Sequence, residues 1–215
     1  MIQIQFQNEH LLVVDKPAGV LSVPSQWGAE DFRPVLGKML ELQMNQKIYP
    51  VHRLDFDVSG VMLFALTDWA HRKLNATFER REVDKIYQAF SQGGDFHQQQ
   101  KGEWECRILR GKKRAYEKPW GQIAVTRFQV YQSYPNQIFE WRLFPITGRP
   151  HQLRYELYRH HSPILGDILY GSKFKINNGH IALRAIELSF PEELANSLKS
   201  PYRFTVNPYH LDELI

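Results

Sequence analysis

The sequence predicts an α+β protein, a mixed and mostly antiparallel sheet with a few covering helices. Strand-like segments outnumber helical ones, they come in consecutive runs, and short turns such as Lys16-Pro17-Ala18-Gly19 join them. The expected strands cover residues 2–6, 11–14, 20–23, 61–66, 86–90, 124–131, 139–144, 181–190 and 202–206. Alternation is clearest where Phe139, Trp141 and Leu143 interleave with Glu140 and Arg142, as in a strand with one buried face. Helical periods are fewer. Leu36, Leu40 and Met44 share a face of the first helix, and Ala70, Leu74 and Phe78 share a face of the second. Thr67 is the candidate N-cap of that second helix, with Asp68 in its first turn. The third begins near Pro150, with Leu153 and Leu157 four apart. Residues 93–101, with Gln98, Gln99 and Gln100 in a row, read as a surface loop. No repeat occurs at a fixed period, and a single domain over 1–215 is expected.

Composition narrows the class. A chain of 215 residues that is 43% hydrophobic can bury a substantial core, which excludes wholesale disorder. Its 27 Lys plus Arg against 23 Asp plus Glu leave a net charge of +4, which suits a polyanionic partner without demanding one. The single cysteine, Cys106, excludes an internal disulfide framework and fits a reducing compartment; nothing beside it in sequence would activate its thiol, so it is expected to be inert. No signal peptide is visible, and the longest apolar run, Val61 to Leu66, is far too short for a bilayer, so a cytoplasmic protein without membrane contact is expected. His151, His160 and His161 do not form a zinc-binding HExxH, no cysteine cluster exists, and the glycines lack a phosphate-loop pattern. Neither metal nor nucleotide binding is expected.

The chemistry concentrates in Tyr49 to Leu66, YPVHRLDFDVSGVMLFAL, where a polar cluster stands directly before a turn and an apolar strand. His52-Arg53-Leu54-Asp55 sets a carboxylate beside a guanidinium and an imidazole, a setting that favours an ionised nucleophile or base. Asp followed by Ser59-Gly60 is also an ordinary turn. Asp57 is a rival carboxylate, and it would share a face with Asp55 if a strand ran through both.

The motif VHRLDxxxSG resembles the signature of the RluA-type pseudouridine synthases, and further motifs follow in that family's order. They are DKPAGVLSVP at 15–24, KIYQA at 85–89, TGRPHQLR at 147–154, SPILGDILYG at 162–171 and ALRAIELSFP at 182–191. The resemblance implies the pseudouridine synthase catalytic fold and the isomerisation of uridine in structured ribosomal or transfer RNA, with no cofactor. It also implies Asp55 as the catalytic carboxylate, Tyr87 as the active-site tyrosine and Arg149 as the arginine paired with that aspartate. A bidentate guanidinium would keep Asp55 ionised better than a lysine could, and Tyr87 offers a ring face and a hydroxyl to the detached base. A stacked uridine must first be flipped out, a step in which the family uses the arginine of HRLD, here Arg53. His52 and His151 are expected to orient neighbours within the site, and His52 and Arg154 are counted among the RNA-binding candidates.

Arg107, Arg110, Lys112, Lys113, Arg114 and Lys118, interrupted by Tyr116 and followed by Trp120, could track phosphates with stacking rings; Arg110, Lys112 and Lys113 are the RNA-binding candidates here. Three positions depart from the family pattern: Val58 for threonine, Glu156 for histidine and Arg184 for the histidine of LHA, with Glu156 and Arg184 as a candidate replacement charge pair. Asp167 is expected to be structural. The DKPAG motif begins at Asp15, which leaves no room for a small N-terminal RNA-binding domain, so the expectation is a monomeric catalytic domain that recognises RNA unaided. The competing reading is an RNA-binding or remodelling protein on a synthase-like fold with dispensable catalysis.

Overall fold

A run of residues that is apolar at every position has to be covered on both faces, and β4 (Ser59–Ala65), SGVMLFA, is buried throughout. In the computed structural model, which describes residues 2–25, 30–177 and 179–215, the chain divides into two units. One comprises 1–84 and 185–206, the other 85–184 and 207–215.

In the first unit, β1 (Gln3–Gln7) pairs antiparallel with β2 (Leu11–Lys16), and β2 pairs antiparallel with β4. Short β3 (Tyr49–Pro50) also joins β4, β10 (Leu183–Ser189) neighbours β4, and β11 (Arg203–Thr205) joins β10. Leu11 and Val13 of β2, with Val61, Leu63 and Ala65 of β4, pack on Ala70 and Leu74 of α2 (Asp68–Glu79) and on Ala195 of α4 (Glu192–Ser197). Helix α1 (Leu36–Met44) buries Leu36 and Leu40, and its Gly37 lies near Phe64 of β4. Thr67 caps α2 as expected, accepting from Ala70 N at 3.2 Å. The strand expected at 20–23 is only one bridge, Leu21 to Val35, with Leu21 N donating to Pro34 O and Leu21 O accepting from Leu36 N.

In the second unit the strand order is β5 (Asp84–Gln92), β9 (Ile138–Pro145), β8 (Gln122–Tyr134), β6 (Lys101–Arg110) and β7 (Ala115–Glu117), each pair antiparallel. Alternate residues of β6, Trp104, Cys106 and Ile108, face inward among charged neighbours. That polar outer face hid both β6 and β7 from the sequence reading. On β9 the face expected to be wet is closed as well: Glu140 is buried and accepts from Gln88 Nε2, Tyr134 OH and Arg142 NH1. Helix α3 (Gln152–Arg159) starts two residues after Pro150, from His151 in a left-handed conformation, and the chain ends in α5 (Leu211–Leu214). Gln88 holds the C-terminal segment to β5 through both main-chain groups of Tyr209, at 2.7 and 3.0 Å.

Candidate active site

Asp55 sits in a tight turn immediately before β4, closed by Val58 N donating to Asp55 O at 3.1 Å. Because 55–58 is a turn and not strand, Asp55 and Asp57 do not share a strand face, and the rivalry based on that face disappears. Asp55, Phe56 and Asp57 are each partly exposed, whereas Val58, Ser59 and Gly60 are buried.

The turn is held by residues of the motif that precedes it. Lys16, at the end of β2 and opposite Gly60, is wholly buried; its Nζ donates to Val58 O at 2.7 Å, Pro17 O at 3.0 Å and Phe56 O at 3.4 Å. Burial pushes this ammonium down to about 8, while the carboxylates of Asp55 and then Asp57 pull it upward, so it is charged at neutral pH. Gly19, with φ 77°, donates its N–H to Phe56 O at 2.9 Å. Ser22 Oγ donates to Leu54 O at 2.8 Å and accepts from Leu54 N at 3.0 Å, bracing the residue beside Asp55 from both sides. The guanidinium of Arg33 lies 5.0 Å from the ring centre of Phe56. Sequence reasoning singled out none of Lys16, Ser22 or Arg33. No local pattern marked the first, because a lysine beside a proline reads as an ordinary turn residue.

His52 and Arg53 part company. His52 Nε2 accepts from Leu63 N at 2.9 Å, and its ring stacks on Phe78 at 5.1 Å, so it fastens the approach to Asp55 onto β4 and α2. That nitrogen is engaged with the main chain, while the ring as a whole stays partly exposed. Arg53 is exposed.

In the second unit Tyr87 is half-buried on β5, paired in register with Leu143 of β9. Arg149 lies in a loop that its own motif builds. Thr147 Oγ1 donates to Gln152 Oε1 at 2.7 Å and accepts from Val125 N at 2.9 Å, and the same Gln152 oxygen accepts from Arg149 N at 2.9 Å. Gln152 Nε2 anchors this loop to Val125 O and Thr126 Oγ1, and Arg149 Nε donates to Ile123 O at 3.0 Å. His151 Nδ1 is 3.1 Å from Tyr170 OH, which accepts from Ala115 N.

Arg154 is 4% exposed and grips Asp167 through Nε and NH2 at 2.7 and 2.8 Å, over the ring of Tyr170. A buried guanidinium committed to a bidentate carboxylate is not presented to a phosphate, which corrects its place among the RNA candidates. The suggested Glu156–Arg184 pair does not form either. Glu156 is bonded to Arg159 Nε at 2.6 Å and to Cys106 Sγ at 3.1 Å, while Arg184 Nε donates to Asn207 O. Arg110, Lys112 and Lys113 are exposed around the β6–β7 turn, which Gly111 N closes onto Arg114 O. Among the described residues no group of three His, Cys, Asp or Glu is arranged to hold a metal ion, and no helix is long and apolar enough to cross a membrane.

Residues 10–159 match the family of RNA pseudouridylate synthases. The chain is 34% identical to the dual-specificity RNA pseudouridine synthase RluA of Haemophilus influenzae, over 87% of this chain and 86% of that one. It is 33% identical to tRNA pseudouridine synthase C of Pasteurella multocida, over 79% and 74% respectively. Among solved structures it resembles human RNA pseudouridylate synthase domain containing 4, with a TM-score of 0.66, 25% identity and 95% of each chain covered. Human RNA pseudouridylate synthase domain containing 1 shares the fold at a TM-score of 0.70 and 23% identity, covering 89% of this chain and 79% of that one. An α+β chain whose ordered motifs brace one another, and whose relatives bear this name along most of its length, belongs to the RluA-type RNA pseudouridine synthases and is an isomerase.

Proposed function

We propose that this enzyme isomerises selected uridines in structured ribosomal or transfer RNA, with Asp55 as the catalytic carboxylate. The observation that carries the assignment is the bracing of the Asp55 turn by Lys16, Gly19 and Ser22. A partly exposed carboxylate carried on a turn whose main chain is held by a buried cation and two further clamps supports a preorganised reactive group. The reaction breaks the bond from ribose C1′ to N1 of the base, turns the base, bonds C1′ to C5 and moves the C5 proton away as N1 gains one. Nothing is consumed, so no cofactor is required. An ionised Asp55 serves this chemistry as a nucleophile at the sugar or as a base on a sugar proton.

Tyr87 offers the detached base a ring face and a hydroxyl within reach of C5, and Arg149 supplies the opposing charge for Asp55. Arg53, exposed two residues before Asp55, takes the space of the flipped nucleotide and stacks on its neighbours. Arg110, Lys112 and Lys113 contact RNA phosphates. His52 and Arg154 act as positioning residues through Leu63 and Asp167.

The test is to incubate wild-type protein and Asp55→Asn with total RNA from a host lacking the gene and to map pseudouridines by chemical adduct and primer-extension stops. Stops made by the wild type and not by the variant uphold the assignment and identify the target. If neither protein makes stops while both bind RNA equally, an RNA-remodelling protein replaces it.

A further inference from the structure

Antiparallel partners share a face, so the registers of β6, β7 and β8 define one surface on the side away from the core. Leu109 stands opposite Tyr116, and Arg107 stands opposite Ile123. Lys118, two residues beyond Tyr116, is tied there by its N–H to Arg107 O at 2.9 Å, and its Nζ lies 5.8 Å from the ring centre of Trp120. The alternate residues Cys106, Ile108, Ala115 and Ala124 bury the opposite face against Tyr155 and Tyr170, so the core has no use for the outer one.

That outer face is both aromatic and cationic. On it Leu109 is 42% exposed, Ile123 40% and Tyr116 39%, and beside it Trp120, in the turn from β7 to β8 next to Lys118, is 72% exposed. Acidic side chains are absent from this end of the face among the described residues: Glu117 has the parity of Ala115, and the nearest acid on the outer side is Glu105, one pair beyond Arg107. Flat rings on a sheet, surrounded by arginine and lysine, suit unpaired bases with their phosphates, because any base can stack while a closed duplex hides its base faces. The surface also adjoins a motif loop: Arg149 Nε bonds to the main-chain oxygen of Ile123 itself.

We propose that this face is a stacking platform for the unpaired RNA strand next to the modified uridine, with Tyr116 and Trp120 each accepting a base and Arg107 and Lys118 the phosphates between them. The inference rests on the RNA substrate proposed above and narrows it to uridines whose flanking nucleotides are single-stranded or are opened on binding.

The test compares wild type, Tyr116→Ala/Trp120→Ala, Tyr116→Phe/Trp120→Phe and the surface control Tyr202→Ala. Each is measured for binding to a short labelled oligouridine and to an RNA duplex of equal length, and for KM on total RNA. The double alanine variant should bind oligouridine about a hundredfold more weakly, with KM on total RNA rising as much, the scale of two lost base stacks. Phenylalanines should restore both values, and duplex binding should change by less than about twofold. Wild-type oligouridine affinity in the double alanine variant, or an equal loss on oligouridine and duplex, overturns the platform. If that happens while the wild type still forms pseudouridine, the proposed function stands and the platform alone is wrong. If the wild type forms none, the proposed function fails, and the oligouridine arm still decides the platform.

Discussion

Gly60 is where the packing of the first unit is least forgiving. It stands opposite Lys16 with φ 119°, and a Cβ there would lie 2.6 Å from Ala185 N, 2.7 Å from its carbonyl carbon and closer still to its oxygen. Ordinary carbon contacts begin near 3.5 Å, so in Gly60→Ala the neighbouring backbone must retreat by roughly 1 Å. Overpacking of this kind costs about 1–3 kcal/mol, and the backbone angle adds about 1–3 kcal/mol for a residue with a side chain. A total near 4 kcal/mol is a large fraction of ordinary stability, and at about 2–4 °C per kcal/mol it lowers Tm by about 10 °C. Pseudouridine formation should fall with it, because Val58 and Ser59 join the displaced strand directly to the Asp55 turn. Thermal melting followed by circular dichroism measures the first effect. A Gly60→Ala protein melting within about 2 °C of wild type would refute the close-approach argument.

Other consequences are equally open to measurement. Lys16 has a folded value near 8 against an ordinary 10.5, so both states are charged below pH 8, and above it the folded protein releases the proton first. Wild-type stability should therefore rise between about pH 8 and 10.5 relative to Lys16→Met, by at most roughly 3 kcal/mol; parallel denaturation curves across that window would refute it. Arg154→Ala strands the buried Asp167 and should cost about 3–5 kcal/mol, whereas exposed Arg53→Ala should change stability by less than about 0.5 kcal/mol while lowering pseudouridine formation. Equal melting of these two variants would contradict the division of roles. Burial and the nearby Glu156 push the Cys106 thiol up to about 12, so the native enzyme should resist iodoacetamide at pH 8 and react only in denaturant, as mass spectrometry can show.

The sequence alone determined whatever depends on local pattern or on ordered motifs. The apolar run after Asp55 had to become a covered strand, the apolar spacing with Thr67 and Asp68 marked α2, and six motifs in order named the family. It could not show what those motifs do for one another. Lys16 reads as an ordinary lysine beside a proline until the chain returns some 40 positions later and adds the carbonyl oxygens of Phe56 and Val58 to that of Pro17. His52 and Arg154 read as polar groups next to reactive ones, and only tertiary contacts show them bonded to Leu63 and Asp167. Strands β6 and β7 were hidden because their charged outer face diluted the apolar signal. That same face reads as a basic loop in sequence and becomes an aromatic surface only once antiparallel register sets Leu109 against Tyr116 and Arg107 against Ile123. Local pattern fixes which residues can be buried; the long-range partners that decide what each buried or exposed group is for exist only after the chain has closed on itself.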